Sequence, residues 1–436
     1  MSMSVDEPNL VSHAGLVAVA ELAQRLGVAE RIDAHLDLSG TPGQANEGTK
    51  AMTVLGGLLA GADSIDDVAV LRTGALPQLF VTRAPSTIGT FLRSFTFGHV
   101  RQLDAVAREL LGAAWAAGAG PAPGADVFVD VDSTICEVYG VGKQGAAFGY
   151  TKVRGYHPLL ATCAGAAAGG GAGNFVTETL SRLRAALPVD ACGRRGRVTL
   201  RADAGFSSRA VVRACRAADA RFSLTVRMNP ALRAAIAGIP DDGWTPIPYW
   251  STDGTFGHHP DGTPVSGADV AEVPYTAFAG TADAVDVRLV VRRVRPTPGS
   301  QLALVEVFDH HAFITDRAGE LLTVEAEHRD HAVVEQVIAD LKGAAGLAHL
   351  PSSRFAANAA WLGLVGLAYN LARWAAALTG RDWARRTVAT IRSRLLAVPG
   401  RLVHTARRLH LRLPENWPWA ADLIGLREAT AALSRT

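Results

Sequence analysis

Residues 127–134 read VFVDVDST, an apolar run that ends in carboxylates and then breaks into small polar residues. Bulky Val127, Phe128, Val129 and Val131 with Asp130 and Asp132 interleaved have the period of a strand with carboxylates at its exit. A carboxylate fixed on a sheet has few rotamers to lose, so it can place a divalent cation closely. An ordinary buried strand with a polar end has the same pattern, and on this stretch alone both aspartates are eligible ligands. The pattern recurs in RVTLRAD, residues 197–203, a second strand that ends on Asp203. Gly205 then supplies a tight turn, and Ser207 or Ser208 can cap the next helix. Open α/β sheets carry their sites at such strand ends.

At 436 residues the chain is long enough for two or three domains and a sizeable core. Hydrophobic residues at 48% and charged residues at 19% describe a globular protein rather than a disordered one. The net charge of +2 excludes a uniformly basic protein, so any nucleic-acid surface must be local. Cys136, Cys163, Cys192 and Cys215 form no CxxC pair, which argues against a zinc ribbon and a disulfide scaffold. The N-terminus lacks the basic and apolar regions of a signal peptide. Phe355 to Ala372 is apolar over 18 residues but contains Asn358, Tyr369 and Asn370, so it reads as a core helix of a soluble, cytoplasmic protein.

In chain order, residues 1–117 read as helical. Within them PSTIGTFLRSFTFGHVRQLDAVARELL gives two amphipathic helices broken at Gly98, the outline of a helix-turn-helix. Arg93, His99 and Arg101 would face DNA in that arrangement, although packing alone accounts for two such helices. Residues 118–126 are a Gly/Pro/Ala linker. Residues 127–227 alternate strands and helices, with Gly149 to Ala164 as one second strand. Gly165 to Gly173 is a low-complexity flexible turn that lacks the GK[ST] ending of a phosphate loop. Residues 228–316 carry short β-type runs between Gly, Pro and Asp clusters, a β-rich insertion. Helix returns over 317–380, where His328, His331, Glu335 and Lys342 recur at three, four and seven and share one helical face. The region 381–436 begins with nine arginines against one acid, Asp382, over residues 381–412, a local charge of +8. Arg385, Arg386, Arg392 and Arg394 among apolar residues suggest a surface that tracks phosphates.

Asp132, Asp203 and Glu335 are thus three carboxylates on two strand ends and a later helix. Hard oxygen ligands in that number suit Mg²⁺ or Mn²⁺, and two such ions ~3.5 to 4 Å apart assist in-line phosphoryl transfer. These residues resemble those of the DDE transposases of bacterial insertion sequences. The resemblance runs from about Pro85 to the C-terminus. Asp132 in Asp132-Ser133-Thr134 matches the first carboxylate, Asp203 the second, and Glu335 with Lys342 seven residues on the third. One branch of that family carries Tyr and Arg where this chain has His328 and His331, and the family's third core strand falls on the Gly/Ala run after Cys163.

The resemblance implies a ribonuclease H-like α/β fold: a mixed sheet flanked by helices, an N-terminal helical DNA-binding domain and a β-rich insertion. It implies a transposase that cleaves transposon ends and joins the 3′-hydroxyl strand to target DNA. Two Mg²⁺ ions, replaceable by Mn²⁺, would be held by Asp132, Asp203 and Glu335. Lys342, His331 and His328 would contact DNA beside the arginines named above. Partners are terminal inverted repeats and target DNA, with a homodimer on paired ends and a nucleoid-associated location. Two other readings stand beside it: a catalytically inactive DNA-binding descendant, and a zinc-dependent hydrolase built on His328, His331 and Glu335. His258-His259 and His310-His311 point to opposite strand faces and make poor metal pairs. Trp244 or Trp250 in the insertion could stack on a flipped base, or pack in the core.

Overall fold

The strand foreseen in VFVDVDS forms over Val127–Ser133 (β1), and Val127, Val129 and Val131 are all buried on one of its faces. The computed structural model describes residues 1–40, 45–149, 151–163, 166–170, 174–248, 266–296, 308–406 and 408–434. In chain order β1 is followed by Leu159–Cys163 (β2), Ala166–Gly170 (β3), Val198–Ala202 (β4) and Arg221–Thr225 (β5). Thr245–Pro246 (β6), Ala268–Ala277 (β7), Val285–Val294 (β8) and Asp309–Thr315 (β9) complete one mixed sheet. Its order among the described residues is β6-β7-β8-β9-β5-β4-β1-β2-β3. β1, β4 and β5 run parallel, whereas β2 and β3 on one side and β9 on the other are antiparallel to their neighbours. The segment expected as a β-rich insertion therefore continues the central sheet from the edge of β5.

Two expectations beside β1 are corrected. The single strand foreseen over residues 149–164 is two, Arg154–Tyr156 in a small separate sheet and β2 in the large one, divided at His157-Pro158. Proline lacks the N–H that a continuous ladder needs, and the chain turns there. The Gly/Ala run foreseen as a flexible turn holds strand β3, which pairs with β2 from Ala166 to Gly170. Backbone pairing needs no side chain, and a neighbour on the sheet supplied what the local sequence could not announce.

The N-terminal helices are Leu16–Arg25 (α1), Val28–His35 (α2), Glu47–Ala60 (α3), Pro85–Arg93 (α4) and Phe97–Ala114 (α5). The break between α4 and α5 falls at Ser94–Thr96 rather than at Gly98. Thr96 caps α5 by accepting from the His99 N–H, and the Thr96 N–H donates to His99 Nδ1, so His99 is a capping residue. Phe175–Ala186 (α6) and Arg209–Ala217 (α7) cover the valine face of β1, joining Val129 and Leu200 in one apolar core. Pro230–Ala237 (α8), Leu321–Arg329 (α9) and Val333–Ala344 (α10) follow, then Phe355–Thr379 (α11) and Ala420–Ala432 (α12). The apolar face of α11 is the hub of a second core that α1 to α5 share with residues 383–426. Trp361 and Trp374 of this helix are fully buried, and 67% of its most apolar window lies inside the protein.

Candidate active site

β1 and β4 are parallel and pair Asp130 with Arg201 and Val131 with Ala202. Asp132 and Asp203 each follow the last of these pairs, so the two residues leave the ends of neighbouring strands whose ladder spacing is about 4.8 Å. The motifs Asp-Val-Asp and Arg-Ala-Asp are thus in register. Side chains two residues apart share a face, so the Asp130–Arg201 pair lies one layer beneath Asp132 and Asp203.

That lower layer is a buried ion pair, with Arg201 Nε and Nη2 donating to Asp130 Oδ1 and Oδ2 at 2.7 and 2.8 Å. The Arg201 guanidinium lies 4.4 Å from the Phe128 ring centre and also donates to the Glu327 carbonyl. His331 Nδ1 stands 2.8 Å from Asp130 Oδ1. An ionised carboxylate only accepts, so His331 is the donor. Asp130, one of the two aspartates eligible as a ligand on this stretch alone, is engaged on both oxygens by Arg201 and His331. Arg201 was not singled out from the sequence. Its signal is the arginine next to the end of a buried strand, two residues before the aspartate that follows it.

Glu335 lies in the first turn of α10 and is exposed, as is Asp203. The continuous helical face expected for His328, His331, Glu335 and Lys342 is interrupted: α9 ends at Arg329, and Asp330–Ala332 form a single 3₁₀ turn before α10. His328 consequently turns inward. Its ring stacks on Phe313 at 3.8 Å between centroids, Nδ1 bonds Ser223 Oγ at 2.8 Å and Nε2 bonds Thr225 Oγ1 at 3.2 Å. Burial, reinforced by His331, Arg201 and Arg292, pushes its pKa down to about 3, so it is a neutral interior residue. With both nitrogens engaged it offers neither a metal nor a phosphate a partner, contrary to expectation. Lys342 donates to the Ile135 carbonyl at 2.8 Å, anchoring α10 to the segment just after Asp132-Ser133-Thr134.

The carboxyl of half-buried Asp132 is held above the usual range, first by burial and then by the negative charges of Asp203 and Glu335. The Ser133 N–H, 2.6 Å from Asp132 Oδ1, and His331 oppose that rise. Asp203 and Glu335 therefore both stand near enough for their charges to act on Asp132. Asp203 Oδ1 accepts from the Gly205 N–H at 3.0 Å, which fixes the turn foreseen at that glycine.

The profile of the transposase DDE domain, group 1, matches residues 1–435 of the chain. The chain belongs to this DDE transposase family. Comparison with curated proteins gave no match. As a transposase it acts on DNA in transposition and recombination. DDE transposases generally use divalent metal ions, and the chemistry of Asp132, Asp203 and Glu335 fits them: three hard oxygen donors, with the proton affinity of Asp132 raised by burial and then by the charges of the other two. Among the described residues no three His, Cys, Asp or Glu side chains form a ready-made cation cage. Asp203 and Glu335 are exposed and have rotamers with which to close one.

The arginines expected on the transposase's DNA surface divide into two groups. Arg385 and Arg386 are exposed near the C-terminal end of α11, and Arg93 is exposed at the end of α4. Arg392 is instead internal. It donates to the Leu58 and Leu59 carbonyls at 3.0 and 2.9 Å and to the Ala344 carbonyl, closing the ends of α3 and α10. Burial lowers its pKa, and the helix-end carbonyls that need a donor explain the position. Arg394 lies over the Trp419 ring at 4.9 Å. Arg101 bridges Asp104 and Glu178 at 3.0 and 2.8 Å, tying α5 to α6, so its exposed charge is already paired with acids of the same chain. Arg407, Trp250 and His258-His259 lie outside the described residues. Trp244 has the Arg293 guanidinium 4.3 Å from its ring centre and His310 6.1 Å away, which covers one face of the indole.

Proposed function

We propose that this transposase cleaves DNA at transposon ends and transfers the 3′-hydroxyl strand to target DNA, with Asp132, Asp203 and Glu335 holding Mg²⁺. The observation that carries the reading is that half-buried Asp132 has its proton affinity raised first by burial and then by the negative charges of Asp203 and Glu335. Such a site gains from a cation. Bound divalent ions would neutralise the phosphate and favour deprotonation of the attacking oxygen.

The protein's own contribution is position. Asp132 stands in β1 and Asp203 directly after the parallel β4, and Glu335 lies in the first turn of α10, whose far end is held by Lys342 on the Ile135 carbonyl. Burial pushes the Cys136, Cys163 and Cys215 thiols up to about 11, 12 and 12, so none is a reactive nucleophile, and phosphoryl transfer needs none. The order β3-β2-β1-β4-β5, antiparallel then parallel, supports the ribonuclease H-like reading of the core. We assign phosphate contacts to exposed Arg385 and Arg386, and two copies to a pair of ends. The zinc reading loses His328 as a ligand to Ser223 and Thr225. An inactive DNA-binding descendant is countered by the presence of Asp132, Asp203 and Glu335 in the family's order along the chain.

The test is strand cleavage on DNA bearing the ends of the element that encodes the chain. Asp132→Ala, Asp203→Ala and Glu335→Ala each abolish Mg²⁺-dependent cleavage while end binding persists. Normal cleavage by any one variant removes that residue from the site.

A further inference from the structure

His331 sits in the 3₁₀ turn between α9 and α10, four residues before Glu335. Because that turn interrupts the helix, the placement of Glu335 is not inherited from α9. It depends on what holds the turn. Two links do so. On its N-terminal side Arg201 donates to the Glu327 carbonyl, and within it His331 Nδ1 donates to Asp130 Oδ1 at 2.8 Å. Both links end on one buried unit, since Arg201 and Asp130 are themselves doubly bonded and each 6% exposed. Asp130 is two residues before Asp132, and Arg201 two before Asp203. The His331 side chain is only 14% exposed, so it is spent inward rather than presented to a phosphate.

We propose that His331 is a positioning residue: through Asp130 it locks the turn that presents Glu335 to Asp132 and Asp203, in place of a direct contact with DNA. The inference rests on the reading of those three carboxylates as the cation site. A hydrogen-bonded partner behind a ligand set typically changes metal affinity by about 10- to 100-fold when it is removed. Here it acts by fixing the helix that carries one ligand rather than by bonding the ligand itself.

The experiment uses the full chain and Mn²⁺ alone as probe, with free Mn²⁺ followed by electron paramagnetic resonance. End-DNA affinity, single-turnover cleavage and the urea midpoint are measured on the same preparations. His331→Ala is expected to weaken Mn²⁺ binding by roughly 10-fold or more and to slow cleavage, with end-DNA affinity unchanged. His331→Asn places an amide N–H near the position of Nδ1, and is expected to recover most of the Mn²⁺ affinity. That recovery is a readout which a general loss of packing would not give. The inference is overturned if His331→Ala binds Mn²⁺ like the parent, if His331→Asn is as impaired as His331→Ala, or if DNA affinity falls while Mn²⁺ binding holds. Asp132→Ala is run in parallel. If it too binds Mn²⁺ normally, the carboxylate reading itself fails. If it loses Mn²⁺ while His331→Ala does not, only the role of His331 fails.

Discussion

Arg201 and Asp130 face each other across two parallel strands and are joined by hydrogen bonds of 2.7 and 2.8 Å, one layer beneath Asp132 and Asp203. Removing one partner of a buried pair strands the other charge, at a cost of about 3–5 kcal/mol. Arg201→Met should therefore lower the urea midpoint strongly. The double variant Arg201→Met with Asp130→Leu should regain much of that loss, because two apolar side chains strand no charge. Equal stability of single and double variants would show that the pair is not coupled.

Asp132 carries a stability cost in the metal-free protein. Its folded pKa is raised, so its contribution is favourable at pH below the ordinary carboxylate range and is lost as pH rises through the folded value. Asn mimics the protonated form. At neutral pH and without divalent cations, Asp132→Asn should melt higher than the parent, by about 1 to 2 °C given the partial exposure of the group, and should not cleave DNA. A melting temperature at or below the parent's would mean that like charge and burial do not strain this carboxyl.

His328 makes the fold acid-sensitive. Its folded pKa, about 3, is far below the usual imidazole value of 6.5. Above pH 6.5 both states are neutral at this residue and nothing is lost; below it the unfolded chain takes up a proton that the folded one refuses. The linkage predicts a loss of up to about 1.4 kcal/mol per pH unit from this group as pH falls from 6.5 towards 3. His328→Asn, which does not titrate, should flatten the urea midpoint between pH 6.5 and 5, where most carboxylates remain ionised. The same slope in parent and variant would exclude His328 as its source.

The arginines separate by salt dependence. Arg385→Ala with Arg386→Ala should weaken end-DNA binding and reduce the slope of log affinity against log salt by about 0.9 for each phosphate that is no longer neutralised. Arg392→Met should leave that slope unchanged and instead lower stability by roughly 1–3 kcal/mol, because buried carbonyls at the ends of α3 and α10 lose their donor. Filter binding over a salt series, paired with urea unfolding, distinguishes the two sites. A changed slope in Arg392→Met would return that residue to the DNA surface.

Local chemistry set out much of this protein. Alternation in VFVDVDS and VTLRA produced the strands, and the aspartates at their ends and Glu335 were legible as residue types in order. The apolar run from Phe355 foretold a core helix. What the sequence could not decide depends on partners distant along the chain. The Gly/Ala run became β3 because β2 offers it a ladder, and the helix through His328 broke where His331 found Asp130 and His328 found Ser223 and Thr225. Arg392 and Arg101 read as free positive charge until helix-end carbonyls claimed the first and Asp104 with Glu178 of α6 the second. Periodicity is a property of neighbours in sequence, whereas pairing of a charge or a backbone edge is a property of neighbours in space. The register of β1 against β4 joins the two, aligning Asp130 with Arg201 and bringing Asp132 and Asp203 out just past the last pair, Val131 with Ala202.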